Sequence, residues 1–198
     1  MNQNIAVGVL ALALPLTAVA APVTYEVDPV HSFPHFTVTH FGAANLYGRF
    51  NKTSGKLVLD REAKTGTIEV TMETASVDTG PHELLGRTRT RDEHLRTPDF
   101  FNATEFPRMT YKGSAKWSGE WPTEVRGELT LLGVTRPVNL KVDHFNCVPD
   151  PRLKGKGEIC GGNASGSIKR SDFGMKFGIP AVSDEIKLLI QFESLRPL

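Results

Sequence analysis

The sequence predicts an all-β fold, a sandwich or closed barrel of antiparallel strands. Three observations carry this expectation. Beyond residue 21, apolar side chains alternate with polar ones instead of recurring every three or four positions. Turn-forming Gly, Pro and Asn residues punctuate the alternating runs. Only one long segment, residues 81–101, breaks the rhythm. Strands of this kind bury one face and wet the other.

The runs can be taken in order. Over residues 34–40 the even positions Pro34, Phe36 and Val38 form the less polar face. Ile68, Val70 and Met72 share a face, as do Val125, Gly127, Leu129 and Leu131. Val138, Leu140 and Val142 follow, and Ile186, Leu188, Ile190 and Phe192 close the series. Between them stand Gly42, Asn51, Gly66, Gly113, Gly119, Gly133, Pro137 and the Pro/Gly-rich stretch 149–157. The interrupting segment reads PHELLGRTRTRDEHLRTPDFF, with Leu84, Leu85 and Leu95 as a modest apolar stripe. Glu83/Arg87 and Asp92/Arg96 fall at i,i+4 with the acid first, the favourable order on a helix. A helical connection across one end of the sheet, stopping before Pro98, is expected.

Charge and cysteine content exclude several functions. The 198 residues hold 23 basic and 22 acidic side chains, net +1, which leaves no electrostatic footprint for DNA or RNA. All of them lie beyond residue 25. Residues 5–21 run IAVGVLALALPLTAVAA and end in an A-x-A pattern, so residues 1–20 read as a cleavable signal peptide although the leader carries no Lys or Arg. The apolar run is short of the roughly 20 residues that span a bilayer and is interrupted by Pro15. One exported domain, residues 21–198, is expected, without a membrane span. Cys147 and Cys160 mark the two ends of the Pro/Gly-rich loop 148–161, and in an exported chain such a pair reads as a structural disulfide. Its spacing is not that of a C-x-x-C redox pair.

Chemistry-bearing clusters are sparse. His31, His35 and His40 are close in sequence, but on a strand His31 and His35 would stand about 13 Å apart, too far to share a metal. His40 points to the face opposite His35. No metal is expected. Asp28, His31 and Ser32 have the composition of a triad, yet lie within five positions, whereas triads draw their members from separate elements. No nucleophile elbow, zinc-protease motif or P-loop is present. Arg87, Arg89, Arg91 and Arg96 with His94 form the densest basic cluster, suited to a phosphate-bearing head group, to a membrane surface, or to a solvated helix face balanced by Glu83, Asp92 and Glu93. Gly48, Gly127 and Gly166 share parity with inward apolar residues. In a barrel such glycines either let a strand bend or leave space inside. An eight-stranded barrel is just wide enough to be filled or to hold one small ligand, and these glycines favour a greasy cavity with a long apolar ligand.

At a larger scale the sequence resembles one family. Tyr25-x-Val27-Asp28-x-x-His31-Ser32-x-x-x-Phe36-x-Val38-x-His40 is similar to the opening of the YceI-like proteins. Gly48-x-Phe50, Gly55, Ser76-Val77-Asp78-Thr79, Arg91-Asp92-x-His94-Leu95 and Asp99-Phe100-Phe101 follow in that family's order. So do Gly127-x-Leu129-Thr130-Leu131-x-Gly133-Val134-Thr135-x-Pro137-Val138 and Arg170-Ser171-Asp172-Phe173-Gly174-Met175. The resemblance implies an eight-stranded antiparallel lipocalin-like barrel with a short helix near its mouth. It also implies a periplasmic protein that carries or sequesters an isoprenoid-like lipid, a quinone or polyprenyl compound, in an apolar tunnel. The segment between Thr79 and Arg91 is longer than the family pattern, Phe33 replaces a small polar residue, and the cysteine loop is an addition found in some relatives.

The expected contacts are Phe36, Val38, Leu46, Ile68, Val70, Leu129, Leu140, Leu188 and Ile190 for the tail, with Arg91 and His94 for a polar head. No cofactor and no catalytic residue are expected, and a homodimer is compatible with the pattern. The alternatives are an enzyme acting on a lipid or quinone through His31, His40 or Asp92, and a ligand-free structural barrel.

Overall fold

The computed structural model describes residues 21–80, 86, 88–154 and 156–196. The expected leader, residues 1–20, and the Glu83/Arg87 pair with Leu84 and Leu85 lie outside the described residues. Eleven strands follow in order: β1 (Val23–Val27), β2 (Phe33–His40), β3 (Ala44–Phe50), β4 (Thr53–Asp60), β5 (Thr65–Glu73), β6 (Val77–Asp78), β7 (Arg108–Ser118), β8 (Trp121–Leu131), β9 (Val134–Pro149), β10 (Glu158–Lys169) and β11 (Val182–Leu195). Every pairing is antiparallel.

These strands make eight walls. β1 and β2 are two pieces of one wall, since both pair with β11. β3 and β4 likewise form one wall, β3 against β2 and β4 against β1. β5 and β6 form the third, pairing with β4 and β3. With β7 to β11 added, and β11 returning to β1, the sheet closes into an eight-stranded antiparallel barrel. Closure leaves no free sheet edge along the ring.

Period two explains the faces. On β5, Gly66, Val70 and Met72 are buried while Thr65, Thr67 and Glu73 are exposed. Leu129 and Leu131 on β8, and Val138 and Leu140 on β9, are buried in the same way. The main core gathers these with Val27, Phe50, Phe101, Met109, Tyr111 and Phe173. A smaller core of Tyr25, Leu57, Leu59 and Cys160 lies toward one end. There Tyr25 is fully buried, and its hydroxyl donates to Glu158 while accepting from Arg61 Nη2 at 2.9 Å. Cys147 and Cys160 face each other directly on β9 and β10 and are joined as a disulfide, with Cα atoms 4.1 Å apart.

The other end, called the mouth below, carries the β2–β3 turn, the described parts of the connection 79–107, the β8–β9 turn and the segment 170–181 between β10 and β11. Within the connection, the described helix α1 (Arg91–Leu95) is a single turn and a half, shorter than the sequence pattern suggests. Gly86 is left-handed at φ +81° and Thr90 is extended, so the helix starts only at the Thr90 cap. Thr90 and Glu93 form a reciprocal capping box, the Glu93 N–H donating to Thr90 Oγ1 at 3.2 Å and the Thr90 N–H to Glu93 Oε2 at 2.6 Å. Asp92 is buried and accepts from the Thr79 N–H and, at 2.6 Å, from its hydroxyl.

Candidate functional site

The barrel encloses a cavity of about 240 Å³. One water needs about 10–15 Å³ on this scale, so the space far exceeds a packing defect. Its wall is almost wholly apolar, as period two requires of eight strands that turn one face inward. Phe36, Val38, Ile68, Val70, Leu129, Leu140, Leu188 and Ile190, expected from parity, all line it. Parity did not reach Leu95, Phe100 and Phe101, which the connection 79–107 folds in over the mouth. The signal for them is the Asp99-Phe100-Phe101 run at the end of an otherwise charged segment.

Three of the expected contacts stand outside the lining. Leu46 does not line the cavity: it sits half-buried opposite Val38, close to the β2–β3 turn, while the rings of Phe36 and Phe50, 5.8 Å apart, occupy the wall beside it. Arg91 also lies outside the lining, its Nη2 donating to the Thr79 carbonyl at 3.3 Å. His94 lies outside it too. Its Nε2 is 2.8 Å from Asp99 Oδ2, and its ring packs edge-on against Phe100 and Phe177. The short helix turns both side chains to the connection's own scaffold, not to the interior. Arg89 pairs with Asp99 at 3.6 Å and Arg96 Nη2 reaches the Val77 carbonyl at 3.5 Å, so this basic cluster ties the connection to the barrel.

The inward glycines have another role than leaving space. A Cβ on Gly48 would stand 2.3 Å from the Phe36 ring, which lies across it. On Gly127 it would meet the Tyr111 hydroxyl at 2.6 Å, and on Gly166 the Leu140 Cδ2 at 3.0 Å. These glycines are seats for neighbouring side chains, and none of the three borders the cavity. Seated over Gly127, Tyr111 donates its hydroxyl to the Val138 carbonyl at 3.0 Å. Burial pushes that phenol well above its ordinary range, so it remains a donor at any physiological pH.

Two buried polar side chains on the lining, Arg170 and Ser32, are held by main-chain partners. Arg170, 2% exposed, donates from Nε to the Ser183 carbonyl at 2.9 Å and from Nη2 to that of Val182 at 2.9 Å. Its Nη1 reaches the Met175 and Phe177 carbonyls at 3.2 and 2.8 Å. Burial lowers the guanidinium's pKa, opposed by the nearby Asp184 carboxylate, and an arginine so placed remains a cation. It holds the segment 174–183 around the mouth. Sequence reading misses this because arginine is normally a surface residue. Ser32 is buried beside the β1–β2 break, its Oγ donating to the Glu193 carbonyl at 2.8 Å and accepting from the Glu193 N–H at 3.0 Å.

The other clusters resolve similarly. Asp28 Oδ2 lies 2.9 Å from His31 Nδ1, but Ser32 bonds Glu193 and completes no triad. Asp28, His31 and Glu193 bring three ligand-type atoms within 4.8 Å of one another. The Arg152 guanidinium already acts on all three groups, which supplies the cation that their charge asks for. Glu158 stands near Cys147 and Cys160, whose sulfurs are committed to the disulfide. His35 is neutral at pH 7, its pKa lowered by burial and by Arg49, and His40 packs on Phe41 with centroids 4.3 Å apart.

Comparison with known proteins agrees with this geometry. The YceI-like domain model matches residues 25–194. The chain belongs to the YceI-like family. The YceI protein of Shigella flexneri is 35% identical over 182 residues, spanning 91% of this chain and 90% of the relative. A UPF0312 protein of Pseudomonas aeruginosa is 32% identical over 199 residues, spanning 99% of both chains. Among solved structures, Burkholderia cenocepacia BcnA superposes with a TM-score of 0.63 at 22% identity, over 84% of this chain and 98% of that one. A polyisoprenoid binding domain from Saccharophagus degradans superposes with a TM-score of 0.62 at 17% identity, over 88% and 99%. The Campylobacter jejuni YceI protein does so with 0.62 at 28% identity, over 81% and 90%. At such identities the first two establish the shared barrel. No helix among the described residues is long and apolar enough to cross a membrane.

Proposed function

We propose that this YceI-like barrel is an exported, periplasmic binding protein that holds the chain of an isoprenoid-like lipid, without catalytic turnover. The observation that carries the reading is the cavity of about 240 Å³, enclosed by the apolar faces of strands from all around the barrel. Such a wall offers burial and almost no hydrogen bonds, which selects a long apolar chain over a sugar or nucleotide. At roughly 25 cal/mol per Å², hiding about 400 Å² of tail supplies about 10 kcal/mol before the entropy of association is subtracted. The similar barrel of Saccharophagus degradans is a polyisoprenoid binding domain, which supports the same ligand class. Export is supported by the A-x-A leader pattern and by a paired disulfide at the end opposite the mouth.

Native mass spectrometry of protein purified from its host, followed by organic extraction, tests the reading. A bound prenyl or quinone species is expected. Val70 stands 7% exposed in the cavity wall, so Val70→Trp should fill the space and abolish uptake while the far-ultraviolet circular dichroism is retained. Protein that carries no extractable lipid, and takes none up when offered it, would overturn the proposal.

A further inference from the structure

Three large apolar side chains stand exposed on two of the segments that frame the mouth. Phe41, 70% exposed, tips the β2–β3 turn, while Phe177 (49%) and Ile179 (37%) lie on the segment between β10 and β11. The two segments are joined: the Phe41 N–H donates to the Ala181 carbonyl at 2.6 Å. We propose that this rim is a docking surface for a lipid bilayer, through which the barrel exchanges its cargo. The inference rests on the lipid-binding reading above and adds to it the partner from which the lipid comes.

Phe41 carries the strongest evidence. Its φ is +52° and that of Gly42 is +67°, and the Ala43 N–H closes the turn on the His40 carbonyl at 3.0 Å. The first of two left-handed turn positions ordinarily takes Asn or Asp, and a bulky aromatic there is held at a backbone cost. The turn thus spends stability twice, on an unfavourable backbone and on an apolar ring in water. Strained positions of this kind cluster where a surface meets a ligand.

Continuity with the cavity indicates what the rim meets. Phe177 packs edge-on against Phe100 at 5.4 Å, and Phe100 lines the cavity. Ala181 precedes Val182, another lining residue. A chain sliding from a bilayer into the barrel would therefore remain against apolar surface throughout. Lys176 is exposed between Met175 and Phe177, where a cation can meet lipid phosphates as the aromatic rings enter the interface. Three projecting side chains are too small a patch for a stable protein partner, which needs about 800 Å² on each side with matching shape. A bilayer needs no shape match.

The test uses the full chain and vesicles of phosphatidylethanolamine with a minority of phosphatidylglycerol, free of isoprenoid lipid. Wild-type protein should co-sediment with them. Phe41→Asn combined with Ile179→Ser should weaken binding about tenfold or more, and Lys176→Glu by a smaller factor. A Phe41→Trp reporter should shift to the blue on vesicle addition. The native Trp117 and Trp121, beside the β7–β8 turn at the end opposite the mouth, should not shift. Uptake of detergent-dispersed prenyl lipid should be unchanged in the double variant. Absence of vesicle binding by wild type, equal binding by the double variant, or a dimer that dissolves in that variant would each overturn the docking proposal. Vesicle binding by a protein that takes up no lipid would leave docking standing and overturn the cargo reading instead.

Discussion

Tyr111 on β7 reaches across Gly127 on β8 to donate its hydroxyl to the Val138 carbonyl on β9, 3.0 Å away. One side chain thus spans three strands, and it can do so only because the residue beneath it has no Cβ. Tyr111→Phe should cost about 1–2 kcal/mol, because a buried carbonyl loses its donor while the ring stays packed. Gly127→Ala should cost as much or more. A Cβ there would meet the Lys112 carbonyl at 2.5 Å as well as the Tyr111 hydroxyl, and backbone cannot step aside. Urea unfolding of the two variants checks both; a wild-type midpoint for Gly127→Ala would show that the seat is not needed.

Gly48 makes a second case with a different readout. The Phe36 ring rests on it, and Phe36 lines the cavity. Gly48→Val should push that ring inward, reducing the space for a ligand, so binding of a prenyl lipid should weaken about tenfold or more. Unfolding in urea measured alongside separates lost volume from lost fold. Unchanged affinity in a folded variant would mean that the ring moves outward.

How much of this is legible in the sequence follows from the range over which each relationship acts. The inward faces are readable because strand pleating puts Ile68, Val70 and Met72 on one side whatever their partners are. The glycine seats are not, because Gly48 acquires its meaning from Phe36 across a pairing that only the register reveals. The sequence pattern favours a helix of several turns, whereas Gly86 and the Thr90 cap shorten it, and Arg91 is held by the Thr79 carbonyl and His94 by Asp99. Arg170 is readable as part of a family pattern, but not as a buried guanidinium, since its carbonyl partners lie five to thirteen residues away along the chain.

The disulfide predicts a separable effect on stability and function. Cys147 and Cys160 are 13 residues apart, and closing a loop of that length stabilises the fold by about 3 kcal/mol in the chain-entropy view. Replacing both with Ser should lower the thermal midpoint by several degrees. Lipid uptake at low temperature should persist, since the bridge sits at the end opposite the mouth. Loss of uptake in a folded double variant would place the bridge in the binding machinery.

Asp28 and His31 predict a pH dependence. Burial raises the Asp28 pKa, but hydrogen bonds from His31 and the Val30 N–H outweigh it and the net direction is down from 3.8. The Asp28 contact raises His31 above 6.5. The His31 contribution is therefore complete below about 6.5 and is lost as pH rises through its higher folded value. The Asp28 contribution is present above 3.8 and is lost as pH falls through its lower folded value. The pair supports the β1–β2 break best between those limits. The thermal midpoint should rise on going from about pH 8.5 to pH 5.5, and His31→Gln should flatten that rise; the same slope in both proteins would remove the pair as its cause.

Arg170 carries the sharpest structural prediction. Its guanidinium collects carbonyls from Met175, Phe177, Val182 and Ser183, so the segment framing the mouth is organised around one buried cation. Arg170→Met keeps much of the volume but leaves those carbonyls without their donor, at about 1–3 kcal/mol for each that water cannot reach. The variant should lose at least about 3 kcal/mol and should be cut by protease within residues 174–181 before the barrel unfolds. Arg170→Lys retains the charge but cannot reproduce the planar fork, and should fall between the two. The barrel strands do not depend on this segment for their ladders, so circular dichroism should remain that of a β-barrel. If Arg170→Met resists protease as wild type does, the segment is held by its own turns, and the exposed Phe177 and Ile179 owe their placement to those turns.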